Sequence, residues 1–589
     1  MLASVRVLAH PRFVALGVAL AAACPFLGTI HAEFVDWDDG ISIFDNPHIR
    51  SLDASALHWM FTDVTYNPRF MPLTWLGWAI TYHFVGLEPA AYHLGNVLLH
   101  AANAALVFAL IRGLFNHISG QATGVSTLCA GAAALFWAVH PLRSEPVAWA
   151  TDRSYEQSLL FALLAVLLYF YSARHEGPRR RLYWGSVASF VACVLTYPAC
   201  LGAAMVPLIL DFYPLRRIGP GRAAMLRLAA EKVPFFAAAG IGLAITLASR
   251  ASAPASLGLG PLVTLETFDW FRAAMKAFYV WTYYVWRPLF PVNLSPVYTD
   301  LLDFDPWSPP FLGSAVIVVL VTTLAVRMRT KAPGVAAIWL SHLALLAPVL
   351  GVTERLAYPS DRYSYAQGIC WAVVIAYLLR RVILSAPSLA RTVAVVGASA
   401  VILGTLGFMA RAQAAIWNDS VSLFTHIIGS LGDDTYRYNI YWRLGRHHMK
   451  RGDWAAAAEG FNKTLEGIPR HFEALRLRGV LELHGGQPMR AAADLATALE
   501  IRDDAEVRMQ FALALALQGR TADAIEHLQQ AVGLSPELFE ARRHLAIALA
   551  NAGRRAEAVR HAEAALELNP NEPGAIKLLQ ELRQVEPAQ

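Results

Sequence analysis

Charged residues are scarce in this chain, at 16% of its 589 residues, whereas a soluble globular domain carries about 25%. The apolar residues collect in long runs before about residue 412, and the remainder has an ordinary soluble composition. A wholly soluble protein is therefore excluded, and the sequence predicts a membrane part followed by a soluble tail.

Cysteine is also scarce, since the chain has only five. All five lie in or beside apolar segments, and no two are spaced as in a C-x-x-C motif. Buried free cysteines behave as small hydrophobic residues. We therefore expect neither a disulfide framework nor a zinc site.

The apolar runs predict an all-α, polytopic membrane domain at 1–412 with about 11 spans. A linker is expected at 413–434 and a soluble domain at 435–589. An aromatic-rich segment at 267–290 also carries Arg272 and Lys276, and whether it spans is left open. The predicted spans are 13–30, 91–113, 128–148, 156–173, 183–197, 198–214, 233–249, 309–327, 335–352, 364–380 and 392–410.

Basic loops give the orientation of these spans, because Arg-rich loops stay in the cytoplasm. Such loops lie at 174–181, 216–227, 327–331 and 380–391. The acidic loop after the first span and the tail are then outside. An alanine- and arginine-rich composition is typical of a GC-rich bacterial genome, so we expect a bacterial inner-membrane protein with a periplasmic tail. The basic loops account for much of the net charge of +5, and no nucleic-acid partner is expected.

The tail repeats with a period of 33 or 34 residues, marked by Gly452, Gly486, Gly519 and Gly553. An alanine follows each glycine by five residues. A proline follows by 17 residues in three of the four units, with Asp503 in the other. Glycine ends one helix, alanine lets the next helix pack closely, and proline closes the unit. This pattern predicts about four tetratricopeptide repeats, whose stack has a concave surface for a protein or peptide partner.

Three acidic residues, Asp36, Asp38 and Asp39, lie a few residues past the first apolar segment. Carboxylates at the mouth of a membrane helix are poorly placed for packing. They are well placed to accept a proton from a molecule that arrives at the membrane surface. A solvated loop with a capping role is the alternative.

Polar residues also occur within a predicted span, at His93, Asn96, His100 and Asn103. Their spacing of three, four and three puts them on one helical face. Such groups are costly in lipid and must face protein or a wet cavity. Interhelical hydrogen bonding is one interpretation, and lining of a substrate cavity is the other.

The outer loops hold further polar clusters. Arginine suits phosphate binding through its planar set of donors, although a single arginine at the interface can also be a snorkelling residue. The clustered side chains are His140, Arg143, Glu145, Asp152, Arg153, Asp361, Arg362 and Tyr363.

Together these segments resemble the GT-C superfamily of membrane glycosyltransferases, in its tetratricopeptide-bearing branch related to protein O-mannosyltransferases. The matching segments are 34–39, 71–75, 92–103, 140–149 and 361–365. Two positions depart from the pattern. Ser154-Tyr155-Glu156 stands where the family commonly has Lys-Asp, and Tyr197 stands where related chains often have lysine.

The resemblance implies a GT-C-type fold and a polyprenyl- or dolichyl-phosphate sugar donor that enters from the bilayer. The transferred sugar would be mannose or another hexose. The acceptor would be a protein Ser or Thr hydroxyl held by the repeats.

Catalytic roles are expected for Asp38 or Asp39 as base, with Asp36 and Glu145 beside them. Arg143, Arg153 and Arg362 would bind the leaving phosphate. His93, Asn96, His100, His140, Asp361 and Tyr363 would line the cavity. Transfer without metal is the first expectation, and Mg²⁺ or Mn²⁺ bridging Asp36, Asp39 and Glu145 is the alternative.

Two other classes of function compete with a transferase. One is an inactive membrane-anchored repeat scaffold for envelope assembly, which the departures from the family pattern favour. The other is a transporter, suggested only by the polar residues within spans. Transporters often carry internal repeats in the membrane part, and the sequence shows none there.

Overall fold

The computed structural model describes residues 10–66, 69–120, 123–174, 180–219, 221–251, 269–351, 359–385 and 388–584. These residues are predominantly helical and contain no strand, which confirms the all-α prediction. They form two compact units, Met1–His426 and Ile427–Gln589. The division falls inside the expected linker 413–434, which contains the helix Ser420–Leu431.

In the described residues up to Leu431 there are 18 α-helices, in the following order. They are α1 (Pro11–Ala23), α2 (Ala54–Thr62), α3 (Pro72–Val85), α4 (Pro89–Ser119), α5 (Gly124–Ala138), α6 (Ser144–Ala148), α7 (Arg153–Ala173), α8 (Arg180–Thr196), α9 (Val206–Phe212), α10 (Arg222–Ala230), α11 (Val233–Ala251), α12 (Trp270–Trp286), α13 (Pro309–Arg327), α14 (Pro333–Leu346), α15 (Ser364–Gln367), α16 (Ile369–Ser385), α17 (Leu389–Ala414) and α18 (Ser420–Leu431).

Within the described ranges, six helical segments are long and apolar enough to cross a membrane, and two bent pairs raise the number to eight. The chain is therefore a multi-pass membrane protein. This number is lower than the 11 expected spans, because several of the expected runs form helices that are shorter than a span requires. Examples are α8, of 17 residues, and α14, of 14 residues. The six are Pro11–His31, Pro89–Ser119, Ala150–Ala173, Val233–Ala251, Pro309–Arg327 and Leu389–Trp417.

The two bent pairs bring polar loop residues to the breaks in the spans. The α5 helix meets Pro141–Ala148 at 61°, and Asp361–Gln367 meets α16 at 54°. At the first break His140 accepts a hydrogen bond from the Leu142 N–H at 3.2 Å and is bonded through Nε2 to the Pro288 carbonyl at 3.0 Å. At the second, a Cβ on Gly368 would lie 2.7 Å from Arg143 Nη2. Glycine is therefore needed where the two breaks pack together.

Between residues 437 and 584 the second unit consists of four helix pairs and a final helix. The glycines that mark the repeats all have φ between 69° and 79°, which favours glycine at a helix end. The four matching alanines are fully buried. These observations confirm the tetratricopeptide pattern. The helices are α19 (Arg437–Lys450), α20 (Trp454–Gly467), α21 (Phe472–His484), α22 (Pro488–Ile501), α23 (Ala505–Leu517), α24 (Thr521–Leu534), α25 (Phe539–Asn551), α26 (Arg555–Leu568) and α27 (Pro573–Gln584).

Close packing of glycines in the first repeat gives a stability prediction. A Cβ on Gly460 would lie 2.8 Å from Gly445 Cα and 2.9 Å from the Tyr441 carbonyl oxygen, so Gly460→Ala forces α19 and α20 apart. We expect a loss of about 1–3 kcal/mol, as for other overpacked sites. Hydrogen exchange in α19 and α20 of the full chain measures it. Gly533→Ala in α24 is the matched control, because a Cβ on Gly533 would meet no atom within 4 Å; equal protection in both variants would contradict the packing argument.

Candidate functional site

The acidic loop is anchored through Asp39, whose side chain is fully buried. Its Oδ2 accepts a hydrogen bond from the Val35 N–H at 2.8 Å. Its Oδ1 accepts from the Thr151 N–H at 3.1 Å and the Thr151 hydroxyl at 2.5 Å. Asp39 therefore fixes the loop to the 3₁₀ turn Ala150–Asp152. Both carboxylate oxygens are occupied and the side chain is not exposed, so Asp39 positions the loop.

The other two acids of the loop are more accessible than Asp39. Asp36 and Asp38 are both half-buried. The Asp36 backbone N–H donates to Ser420 Oγ at 2.8 Å, and the Trp37 ring lies 6.0 Å from that of Phe424. Because the loop is held at both ends, the Asp38 carboxylate is presented from a fixed backbone.

Glu145 binds the segment that precedes α15. Its Oε1 accepts from Ser360 Oγ at 2.8 Å and from Arg362 Nη1 at 2.5 Å, while Oε2 accepts from the Arg362 N–H at 2.9 Å. The side chain of Arg362 is 11% exposed and that of Glu145 is 4% exposed. This partly dry ion pair joins the two broken spans.

Aromatic rings surround the Arg362 guanidinium. Its Cζ lies 5.5 Å from the Trp149 ring centre, 5.8 Å from that of Tyr155 and 5.4 Å from that of Tyr363. Such contacts favour a cation at this position. The predicted residues Glu145, Arg362 and Tyr363 therefore lie together.

The two departures from the family pattern meet in the structure. The rings of Tyr155 and Tyr197 are 4.9 Å apart, and both side chains are buried. Arg362 lies over Tyr155, and Arg69 lies over Tyr197 at 5.8 Å. A tyrosine pair flanked by two guanidinium groups thus occupies these positions, and the sequence pattern contained no indication that they are neighbours.

Asp361 is held by residues other than Glu145. Its Oδ1 accepts a hydrogen bond from the Tyr298 hydroxyl at 2.9 Å, and Arg287 Nη2 donates to the same hydroxyl at 3.1 Å. Burial raises the pKa of Tyr298 well above its ordinary value, so this hydroxyl remains a donor. Arg287 and Tyr298 were missed as site residues, although Arg287 lies in a polar outer segment of the sequence.

Arg143 and Arg153 contact residues other than Glu145 and Arg362. Arg143 is 2% exposed and its Cζ lies 5.6 Å from the Trp137 ring and 5.7 Å from the Tyr365 ring. Arg153 Nη1 donates to Thr81 Oγ1 at 2.9 Å and so contacts α3. Of the three predicted phosphate-binding arginines, Arg362 is the one that forms an ion pair with Glu145.

Three of the four polar side chains on one face of α4, all but His93, make interhelical hydrogen bonds. All four side chains are buried. Asn96 Nδ2 donates to the Trp149 carbonyl at 3.0 Å, and Asn103 Nδ2 donates to the Glu156 carbonyl at 2.9 Å. His100 contacts the Ala138 carbonyl through Nε2 at 3.0 Å and the Tyr365 hydroxyl through Nδ1 at 2.9 Å. These bonds support the first of the two interpretations of this face, because they hold the broken span and α7 against α4.

The alternative in which Mg²⁺ or Mn²⁺ bridges Asp36, Asp39 and Glu145 stays a prediction. Both oxygens of Asp39 and both oxygens of Glu145 already accept hydrogen bonds from N–H or O–H donors, so a cation there would use the remaining lone pairs. No group of three His, Cys, Asp or Glu side chains in the described ranges is arranged to hold a metal ion.

An apolar groove lies in the membrane unit next to the site. It is open to the outside and is lined by α4, α7, α9, α14 and α16. Leu159 and Leu163 contribute from α7, and Ile369 and Val373 from α16. Both helices also lead to the site, since α7 begins at Arg153 and α16 follows the 361–367 segment.

The buried Asp39 gives the acidic loop a pH dependence. Burial raises the pKa of Asp39 to about 7, against hydrogen bonds from Thr151 and Val35 that lower it. An unfolded aspartate has a pKa of about 3.9. Between these values the folded state binds more protons, so the stability of the docked loop falls as pH rises from about 4 to about 7 and is level above that.

We therefore expect the Thr151 amide to be less protected at pH 8 than at pH 5.5, as measured by hydrogen exchange corrected for the intrinsic rate. Asp39→Asn, which cannot ionise, is expected to remove the difference. Protection in the wild-type chain that does not change with pH would contradict the assignment.

Comparisons with known proteins match the second unit. Tetratricopeptide repeat models match residues 443–507 and 515–582. Protein O-mannosyl-transferase tmtc2 of Xenopus laevis is 32% identical over 194 residues, which cover 32% of this chain and 21% of the relative. TMTC4 of Homo sapiens is 28% identical over 199 residues, covering 31% and 27%, and Tmtc1 of Drosophila melanogaster is 31% identical over 201 residues, covering 33% and 22%.

These alignments lie over the repeats, and the matches cover less than a third of the length of these relatives. Among solved structures, MamA from Desulfovibrio magneticus RS-1 is 22% identical over 26% of this chain and 86% of its own, with a TM-score of 0.24. YrrB, described as a TPR protein with an unusual peptide-binding site, is 19% identical over 28% and 93%, also with a TM-score of 0.24. The chain thus carries tetratricopeptide repeats in its second unit, and over that region it is similar to protein O-mannosyl-transferases.

Proposed function

We propose that this protein is a membrane glycosyltransferase of GT-C type. It moves a hexose from a polyprenyl- or dolichyl-phosphate donor to a Ser or Thr hydroxyl of a protein on the outer face of a bacterial inner membrane. The observation that carries the proposal is the anchored acidic loop. Asp39 fixes it to the turn Ala150–Asp152 that leads into α7. The residue just before that turn, Trp149, has its ring 5.5 Å from the Arg362 guanidinium, so the loop that carries Asp38 and the Arg362 side chain contact the same short stretch of chain.

The donor would occupy the apolar groove and the site together. A polyprenyl chain is apolar and flexible, and an open groove lined by aliphatic side chains suits it. The phosphate would meet Arg362, whose charge is held in place by Glu145 and by three aromatic rings. Fixed positive charge in a partly dry site stabilises the charge that develops on a leaving oxygen.

The chemistry is a single displacement. The acceptor hydroxyl oxygen bonds to the anomeric carbon as the bond from that carbon to the phosphate oxygen breaks. The polyprenyl phosphate leaves with the bonding electrons, and the hydroxyl proton passes to the Asp38 carboxylate. A displacement of this kind inverts the anomeric configuration, so the product linkage is a test of the mechanism.

The acceptor would be a protein segment held by the periplasmic repeats. The similarity of these repeats to those of proteins named protein O-mannosyl-transferases supports an acceptor role for the array. It also supports mannose as the first sugar to examine.

Transfer assays test the proposal directly. The full chain in proteoliposomes is supplied with a radiolabelled polyprenyl-phosphate mannose, the corresponding glucose donor and a Ser/Thr-rich peptide. We expect label in the peptide with at least one donor. No transfer with any donor, together with an unchanged envelope glycan profile in a strain lacking the protein, would favour the membrane-anchored scaffold instead.

A further inference from the structure

The two helices of each repeat carry opposite charge. The helices α19, α21, α23 and α25, here called the inner helices, hold nine Lys or Arg and four Asp or Glu residues. The helices α20, α22, α24 and α26, here called the outer helices, hold four and nine. The second unit is nearly neutral as a whole, so its overall charge conceals this separation.

The inner helices form the concave side of the array. Neighbouring inner helices contact one another along the whole stack, α19 with α21, α21 with α23 and α23 with α25. The outer helices of neighbouring repeats lie farther from one another. A stack whose members are closer on one side curves toward that side, so the inner helices line the concave surface.

The exposure of the charged side chains agrees with this curvature. On the inner helices Arg443, Arg508 and Arg542 are half-buried, whereas Glu459 and Glu526 on the outer helices are exposed. Four carboxylates on the inner helices leave an excess of five positive charges there. Part of this excess is compensated by carboxylates outside the inner helices, since Arg478 pairs with Asp494 and Arg508 pairs with Asp503.

The first inner helix has the highest density of positive charge. Within its bounds α19 carries four cations and no carboxylate. Arg443 and Arg446 both lie over the Trp442 ring, at 5.2 Å and 5.1 Å. This arrangement combines charge with a flat apolar surface and suits an extended chain that carries carboxylates beside apolar side chains.

We propose that the concave surface binds an acidic, extended polypeptide segment, and that this segment belongs to the acceptor of the proposed transfer reaction. The identification of the bound segment as part of an acceptor rests on the proposed function. The binding of an acidic segment does not. The repeats would select acceptors rich in Asp and Glu and bring a nearby hydroxyl to the membrane unit.

The experiment measures binding by the full chain in nanodiscs of zwitterionic lipid, without donor. Fluorescent peptides of alternating Ser with Glu, Gln or Lys are compared by anisotropy at low and high salt. We expect the Glu peptide to bind most tightly and to weaken as salt rises, because charged contacts are screened.

Two variants with equal loss of charge give the matched comparison. The inner triple is Arg443→Gln, Arg446→Gln and Arg542→Gln. The outer triple is Arg490→Gln, Arg555→Gln and Arg560→Gln. The inner triple is expected to weaken binding of the Glu peptide by about tenfold or more, and the outer triple to leave it nearly unchanged. Hydrogen exchange in α19–α26 verifies that both variants are folded; if the inner triple is not, the order of the three peptides on the wild-type chain decides.

Equal loss in the two triples, or binding of the Lys peptide as tight as that of the Glu peptide, would overturn the inference. So would failure of the Glu peptide to bind while nanodiscs of anionic lipid protect the inner helices, since the surface would then bind membrane. A chain that binds the peptide and transfers no sugar would defeat the proposed function alone. A chain that transfers sugar without regard to acidic residues would defeat this inference alone.

Discussion

Replacing Asp38 with asparagine is expected to reduce sugar transfer by about 10²–10⁴-fold, the usual contribution of a positioned general base. Asparagine has nearly the same shape but cannot take the hydroxyl proton. Asp39 remains in place to hold the loop against Thr151, so donor binding should change little. The effect should therefore fall on the maximal rate rather than on the concentration of donor needed.

The measurement is transfer of labelled hexose by the full chain in proteoliposomes. The assay is best run above pH 8, because the charge on Asp38 helps raise the pKa of Asp39, and Asp39 is then ionised in both proteins. Glu33→Gln is the matched control, since Glu33 is an exposed carboxylate in the same loop. Full activity of Asp38→Asn would remove Asp38 from the mechanism.

Replacing Glu145 with glutamine is expected both to destabilise the membrane unit and to reduce transfer. Glutamine removes the charge opposite Arg362. Its amide N–H₂ would also face at least one of the donors whose hydrogen bonds the carboxylate now accepts. Breaking a buried ion pair by removing one partner costs about 3–5 kcal/mol. Because Arg362 would also lose its fixed position, the leaving phosphate would lose its cation.

Thermal unfolding of the purified chain and donor affinity are the two measurements for this variant. The control is Asp433→Asn, which removes the exposed partner of Arg437 in the second unit and should change stability by about 0–1 kcal/mol. Arg362→Lys provides a second comparison, since lysine keeps the charge but lacks the planar donors that reach both carboxylate oxygens. Unaltered stability and donor affinity in Glu145→Gln would show that the pair has neither role.

The repeats could be predicted from the sequence because their signal is local and periodic. A glycine with positive φ and an alanine against the neighbouring helix recur at fixed positions, and each unit imposes the same requirements. The number of spans could not be predicted in the same way. Hydropathy records how apolar a segment is, but the run at 128–148 contains a 61° bend that depends on where His140 and Pro141 pack.

Several polar residues that lie together in the structure could be named from the sequence, but the contacts between them could not. Glu145 and Ser360 are 215 residues apart, and no local pattern indicates that they meet. The sequence also could not distinguish Asp39 from Asp38. Which of two neighbouring carboxylates turns inward depends on Thr151, whose place is set by the turn Ala150–Asp152 and so by the packing of α7.

The ion pair between the broken spans has a consequence for the lipid around the protein. Spans tilt to match the hydrophobic thickness of a bilayer, and tilting slides neighbouring helices along one another. Glu145 belongs to one bent pair and Arg362 to the other, and two hydrogen bonds join them. A thinner or thicker bilayer would thus have to tilt the other membrane helices before it could separate the two bent pairs. The distance between the two bent pairs is therefore expected to be insensitive to membrane thickness.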